Sequence, residues 1–468
     1  MGSGLVKIPV GSIWFYVIKF GIIGAVLGIG VWTWYKAKAN NQPPTDYLKL
    51  ALFVPFTIDF HLHYAFIFLT IILFNKKLLL PWNSLLKPIY LLFIWGFISY
   101  VINQFIEFNP LSFLLFVIVF FTPWVFFGLA YKNVNNENIN QLLNHYFNIL
   151  MIMIGIISIQ TIVFWNEHPD FRNGGTKDAH FAAIYLSIGF FIVLNKFYNK
   201  NHKIVISEFY QNAIIVLTIP ILFLIDAKYI LIFVLLITAI TFLIYAKLPW
   251  KYKSIVLTLF FCLITYWFMS TNRALPISAT SLTYSTYTYD GIIKHFPQTP
   301  KGQLIKNAIA LPQNDPLVFI FGSGPGTFLS VAANSRTPKD SLKYMMTYTR
   351  EYVKTSSKLP IFVEPFTSWI KYKYGQIYFS FNDFGSSIYD WSGSFLNIYF
   401  EMGIIGLTLI IFLFWALLKS VKHNARQNKT IVFSLVIFFF LINFVCSWLD
   451  QQNFVILQSI FLASLIKF

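Results

Sequence analysis

The residues best equipped for chemistry sit in one short polar stretch. Trp165–His180 reads WNEHPDFRNGGTKDAH and lies between two apolar runs. Arg172 is followed by Gly174, Gly175 and Thr176, and an apolar run opens directly after them. Glycines let a backbone approach a ligand closely. A helix N-terminus attracts anions, and arginine grips phosphate through a two-pronged fork. Together these features suit a diphosphate. The same pattern also fits a capped helix whose arginine pairs with Asp170 or Asp178.

Three other stretches carry polar groups in unusual places. Asp226-Ala227-Lys228 forms a very tight turn between two strongly apolar runs. A cation at a helix start opposes the helix dipole. Lys228 is therefore either kept there to bind an anion or snorkels to an interface. Phe321–Phe328 reads FGSGPGTF, with Gly322, Gly324 and Gly326 at alternate positions. The spacing is not a dinucleotide fingerprint and no βαβ unit surrounds it, so a structural turn is the better reading. Asp59, His61 and His63 interrupt another apolar run. Asp59 lies roughly 15 Å along that helix at 1.5 Å per residue. Polar groups at such depth are expensive. Asp59 therefore bonds a neighbouring helix, lines a wet cavity or touches substrate.

These residues need a scaffold, and composition names it. Of 468 residues, 57% are hydrophobic and only 11% are charged. Mean hydropathy is +0.64. Soluble domains carry about 25% charge, so a soluble domain is excluded. The net charge of +17 is a topology signal in such a chain and does not point to nucleic acid. Cys262 and Cys446 both fall in apolar runs, which argues against a structural disulfide or a thiolate metal site.

Runs long enough to span a bilayer follow one another from about Ile13 to Phe468. A spanning helix needs roughly 20 apolar residues. Twelve spans are expected, at about 13–34, 49–74, 84–102, 111–130, 146–164, 180–196, 205–225, 229–246, 252–270, 393–418, 430–448 and 453–467. The expected organisation is an all-α polytopic membrane protein in three parts. Residues 1–270 hold nine spans, 271–392 form an extracytoplasmic loop domain, and 393–468 hold three more.

Orientation follows from Lys and Arg in short loops. One alternate set holds Lys76-Lys77, then Lys196, Lys200 and Lys203, then Lys247, Lys251 and Lys253, then Lys419, Lys422, Arg426 and Lys429. The other set is poor in positive charge. The first set is read as cytoplasmic, which puts both termini inside and 271–392 outside. That segment has 12 Lys and Arg against 7 Asp and Glu, a surface that attracts anions. Within it, Asp340–Lys358 is amphipathic and suits a membrane surface. Ile361–Trp391 is rich in aromatic rings that could stack on sugars or form an interfacial belt.

The order of these elements resembles the O-antigen polymerase and O-antigen ligase superfamily. The likeness rests on the Arg-Asn-Gly-Gly-Thr loop opening a span, then the tight polar-basic turn. The glycine-alternating turn in the long outer loop follows, and last comes Phe395–Leu407, FLNIYFEMGIIGL, leading into the tenth span. The resemblance implies a GT-C-like glycosyltransferase in the bacterial cytoplasmic (inner) membrane, acting on undecaprenyl-diphosphate-linked oligosaccharides at the outer face. It implies no cofactor and no metal, and a chain-length regulator as partner. Carried onto this sequence, it makes Arg172, Lys228, Arg273 and Arg336 diphosphate-binding. Arg172 and Arg350 become electrostatic catalysts, with Glu364 or Asp390 as the proton acceptor. The ligases carry a His-Asn pair about eleven residues before the first glycine of the Gly-Ile-Ile-Gly element. Here that place is Ser392-Gly393, which favours a polymerase over a ligase. A transporter of lipid-linked sugars is the reading from another class.

Overall fold

Apolar runs punctuated by glycine, proline and short polar turns dictate helices, and among the described residues every regular element is helical. A computed structural model describes residues 87–103, 125–163, 179–198, 207–225, 227–255, 308–313, 316–322, 393–423, 429–445 and 452–466. It also describes shorter stretches within 24–52, parts of 172–176, and a few further positions including Gly324. The named helices are α1 (Thr45–Ala51), α2 (Lys87–Asn103), α3 (Asn136–Val163), α4 (Ala179–Tyr198), α5 (Glu208–Leu224), α6 (Lys228–Tyr245), α7 (Pro316–Phe321), α8 (Gly393–His423), α9 (Lys429–Val445) and α10 (Gln452–Ile466).

By length and composition two helical stretches, Asn138–Val163 and Ser394–Ser420, are apolar enough to cross a membrane, but the second is interrupted at Gly403. α3 starts about ten residues before the expected span. Its first turns, NENINQLLNH, are polar, and Asn135 Oδ1 accepts a hydrogen bond from the Asn138 N–H at 2.8 Å. Hydropathy marks only the apolar part of a helix, so the polar extension was invisible to it. α5 and α6 are separate helices joined at 225–227, as the tight polar turn predicts.

The packing is layered. α9 packs on α8 on one side and on α4 and α6 on another. α3 and α5 pack on α4, while α2 and α7 pack on α8. At the α3–α4 contact Gly189 brings the helices close, since a Cβ there would meet Leu150. The Tyr146 hydroxyl donates to the carbonyl of Tyr185 in the same contact. α6 and α9 are tied by Thr241 and Ser434, whose hydroxyls lie 3.0 Å apart.

α8 is not one straight rod. Gly403 has φ 67° and ψ −171°, outside the helical region. Phe395 and Phe414 would stand roughly 28 Å apart along a straight helix. Their ring centroids are 5.9 Å apart. A Cβ at Gly406 would lie 3.5 Å from Ile398 Cγ2, a residue two turns away in any straight helix. The chain therefore reverses at Gly403. Arm 393–402 lies folded against arm 404–423, and nearly all its side chains are buried. This differs from the single span expected at 393–418. Hydropathy sees 31 residues of one apolar character and cannot see a corner made by one glycine.

The corner exists because other segments complete it. A helix end leaves orphan carbonyls, and here the last two find donors. Glu401 O accepts from the Gly324 N–H at 3.0 Å and from the Ser99 hydroxyl at 3.3 Å. Met402 O accepts from Trp95 Nε1 at 2.7 Å. Trp95 also stacks on Phe321, with centroids 5.6 Å apart. Gly322 and Gly403 allow backbone to meet backbone. A Cβ at Gly322 would strike the Glu401 carbonyl, and one at Gly403 would strike the Ile320 carbonyl. The structural turn expected at Gly322 and Gly324 is present, with φ 77° and 101°. Gly326 lies outside the described residues.

Trp95→Phe keeps a ring for Phe321 and removes the N–H from Met402 O. The expected cost is about 1–3 kcal/mol, that of a buried acceptor left unmade. Thermal unfolding of the detergent-purified protein reads it, and an unchanged midpoint would contradict the capping role.

Candidate functional site

The polar stretch before α4 and the turn between α5 and α6 meet in space. α5 ends at Leu224, where a helix leaves unpaired carbonyls. Arg172 Nη1 donates to Leu224 O at 2.7 Å. An arginine suits a helix C-terminus electrostatically, and the bond fixes the plane of the guanidinium fork. Arg172 is 8% exposed, so its charge is held in the protein and not waved in solvent. The described partner is a carbonyl, where the sequence offered Asp170 or Asp178. Both of those lie outside the described residues.

Gly174 shows why glycine follows the arginine. Its φ is 61°, a conformation glycine adopts freely. Its N–H donates to Gln160 Oε1 at 2.9 Å, anchoring the loop to the last turns of α3. A Cβ there would run into Met153 and Ile157. Thr176 is fully buried two residues on. The loop is thus pinned to α3 by Gly174 and to α5 by Arg172.

The same junction holds two helix starts. α4 opens at Ala179 and α6 at Lys228, and the two helices pack together. Their second residues face each other: the His180 and Tyr229 rings have centroids 5.1 Å apart. Both helices thus begin at one place and run in parallel, and their positive dipole ends add there. The backbone of Lys228 is the first residue of α6. The described groups that could meet an anion there are the Arg172 guanidinium and helix-start N–H groups.

The site residues expected in the long segment, Arg273, Arg336, Arg350, Glu364 and Asp390, lie outside the described residues, as do Asp59 and Asp226. Of the expected clamp, Arg172 is described with its side chain, at the end of α5 and close to the backbone start of α6 at Lys228.

Sequence reasoning passed over a second polar set. Ser394 (0% exposed), Asn397 (1%) and Glu401 (3%) line one face of the short arm of α8. The Ser394 hydroxyl donates to Asn443 Oδ1 of α9 at 3.1 Å, and Asn443 Nδ2 donates to Phe439 O at 2.6 Å. The signal was available: polar residues at i, i+3 and i+7 in an apolar run share a helix face. α9, which carries Asn443, also packs on α4 and α6.

No protein-family model matches the chain, and no curated protein matches it.

Proposed function

We propose that the chain is a multi-spanning membrane glycosyltransferase of the polysaccharide-polymerase kind. It transfers a glycan from a polyprenyl diphosphate to a sugar hydroxyl of another lipid-linked unit at the outer face of the cytoplasmic membrane. The observation that carries this reading is the meeting of Arg172 with the end of α5, beside the start of α6 at Lys228. Arg172 and a helix start more than fifty residues further along the chain share one junction. Lys and Arg bias in the short loops supports reading that junction as outward.

In the reaction the acceptor hydroxyl oxygen attacks the anomeric carbon. The bond from that carbon to the phosphate oxygen breaks, and its electron pair leaves on the diphosphate. The hydroxyl proton passes to a carboxylate, for which Glu364 and Asp390 are the candidates. Negative charge grows on the departing diphosphate, and preorganised cations stabilise it most when water is excluded. Buried Arg172 is suited to this. Arg273, Arg336 and Arg350 would add charge from the outer segment.

One observation favours a second reading. α8 is broken at Gly403 with polar residues buried on its short arm, and broken helices mark many transporters. One experiment separates the readings. The purified protein is given undecaprenyl-diphosphate-linked repeat units, and products are run on a gel. A polymerase yields a ladder of lengths. A protein that leaves single repeats unchanged, yet moves them across a vesicle membrane, is a transporter.

A further inference from the structure

We propose that the opposite end of the bundle is a recognition surface for anionic phospholipid head groups. It is made by residues 246–255, the close of α8 and the start of α9. Lys247, Lys251, Lys419 and Lys429 supply the charge, and Trp250 and Trp415 anchor the surface in the lipid interface. The inference does not depend on the glycosyltransferase reading.

Three chain segments meet there. Tyr245, last residue of α6, packs its ring on Phe433 of α9 with centroids 5.8 Å apart. Phe433 lies one turn beyond Lys429, where α9 begins. Residues 424–428 join that start to the end of α8, and α8 packs on α9. Beyond α6 the chain is held in place. Lys253 Nζ donates to Leu243 O at 2.7 Å, in the last turn of α6. Pro249 O accepts from the Tyr252 and Lys253 N–H groups at 3.0 and 3.2 Å, which starts a new helical turn at Trp250. Lys247 and Lys251 are exposed beside it and make no ion pair among the described residues.

The rings name the partner as lipid. Trp250 is 70% exposed and Trp415 52%, and both stand where apolar helices give way to lysines. Tryptophan gathers at that depth in a bilayer because its ring is apolar and its N–H is not. Trp415 stacks on Phe412 at 5.3 Å, and Lys419 Nζ sits 5.2 Å from its ring centroid. The lysine stem thus runs along an apolar face and carries its charge to the head-group level. The charge names the lipid as anionic. Against Lys247, Lys251, Lys253, Lys419 and Lys429, the described residues of α5, α6, α8 and α9 place one acid at this end, Glu208 at the start of α5. Clustered lysines beside a span attract acidic lipids. A wholly soluble partner would leave both tryptophans unexplained.

Lipid retention by the full-length protein tests this. The protein is reconstituted into nanodiscs of phosphatidylglycerol and phosphatidylcholine in equal parts and extracted into mild detergent. Native mass spectrometry then reads which lipid it keeps. Wild type is expected to keep phosphatidylglycerol over phosphatidylcholine by about tenfold or more. Lys247→Ala combined with Lys251→Ala should remove most of that preference, at roughly fivefold per lysine. Lys247→Arg combined with Lys251→Arg keeps both charges and should keep the preference. Exposed substitutions of this kind leave folding almost untouched, and an unchanged unfolding midpoint checks it. Trp250→Ala should loosen both lipids together. Equal retention of the two lipids by wild type would overturn the proposal and leave the lysines as a solvated face. A wild-type preference in the double alanine variant, or its loss in the double arginine variant, would overturn it as well.

Discussion

Replacing Arg172 with Ala should cut chain extension by a factor of about 100 or more while the protein still inserts. Removing one preorganised donor to developing negative charge costs roughly 100–1,000-fold in known cases. The side chain also caps Leu224 O, so a structural effect has to be separated from a chemical one. Arg172→Lys does this. Lysine keeps a cation and a donor for the carbonyl but lacks the planar fork. The account expects Arg172→Lys to be purified in wild-type amounts with a wild-type unfolding midpoint, and yet to extend chains at least about tenfold more slowly. Polymer length measured in cells carrying only the Ala variant is the simplest check. Unchanged length would show that the loop is a helix cap and nothing more.

The second large effect belongs to the fold. Gly403→Ala should destabilise the protein by about 3 kcal/mol or more, combining backbone strain of about 1–3 kcal/mol with overpacking of a similar size. At φ 67° and ψ −171° the residue occupies a region that only glycine populates readily. The atoms that a Cβ would meet are the Ile320 carbonyl and the Gly322 nitrogen, the latter at 2.8 Å. Backbone cannot swing aside as a long side chain can. Gly322→Ala probes the other half of the same contact, because its Cβ would meet Glu401 and Met402 backbone. The double variant should therefore be less damaged than the sum of the two, as expected for substitutions at one shared contact. Gly155→Ala in α3 is the control. A Cβ there meets nothing within 4 Å, and alanine favours a helix over glycine by about 1 kcal/mol. If Gly403→Ala matched Gly155→Ala in folded yield and unfolding midpoint, the reversal in α8 would be contradicted.

These two results also mark how far the amino-acid sequence could be read. The helical class and the split between α5 and α6 follow from hydropathy and from one three-residue polar turn, because both are local. The contact of Arg172 with the end of α5 was not expected, because the sequence offered Asp170, Asp178 or a diphosphate as its partner. Residue types say what can bond, and packing says what does. The corner at Gly403 was hidden. Its cause lies in Gly322, Gly324, Trp95 and Ser99, all far away along the chain, and no local window joins them. Yet both glycine motifs were visible as motifs. What was missing was that each exists for the other, one removing the Cβ that the other's backbone would hit. Glu401 was hidden differently. It sat inside a quoted motif, and its three-dimensional company with Asn397 and Ser394 emerges only when the arm is seen to be buried on nearly every side.

The central claim is that the junction of Arg172 with the starts of α4 and α6 holds a lipid diphosphate. A high-resolution map of the protein in nanodiscs with undecaprenyl diphosphate tests it most directly. The account predicts density for two phosphates within hydrogen-bond reach of the Arg172 guanidinium and the first turns of α4 and α6. Phosphate density elsewhere, for instance against Ser394 and Asn397 on the short arm of α8, with the Arg172 junction empty, would contradict it.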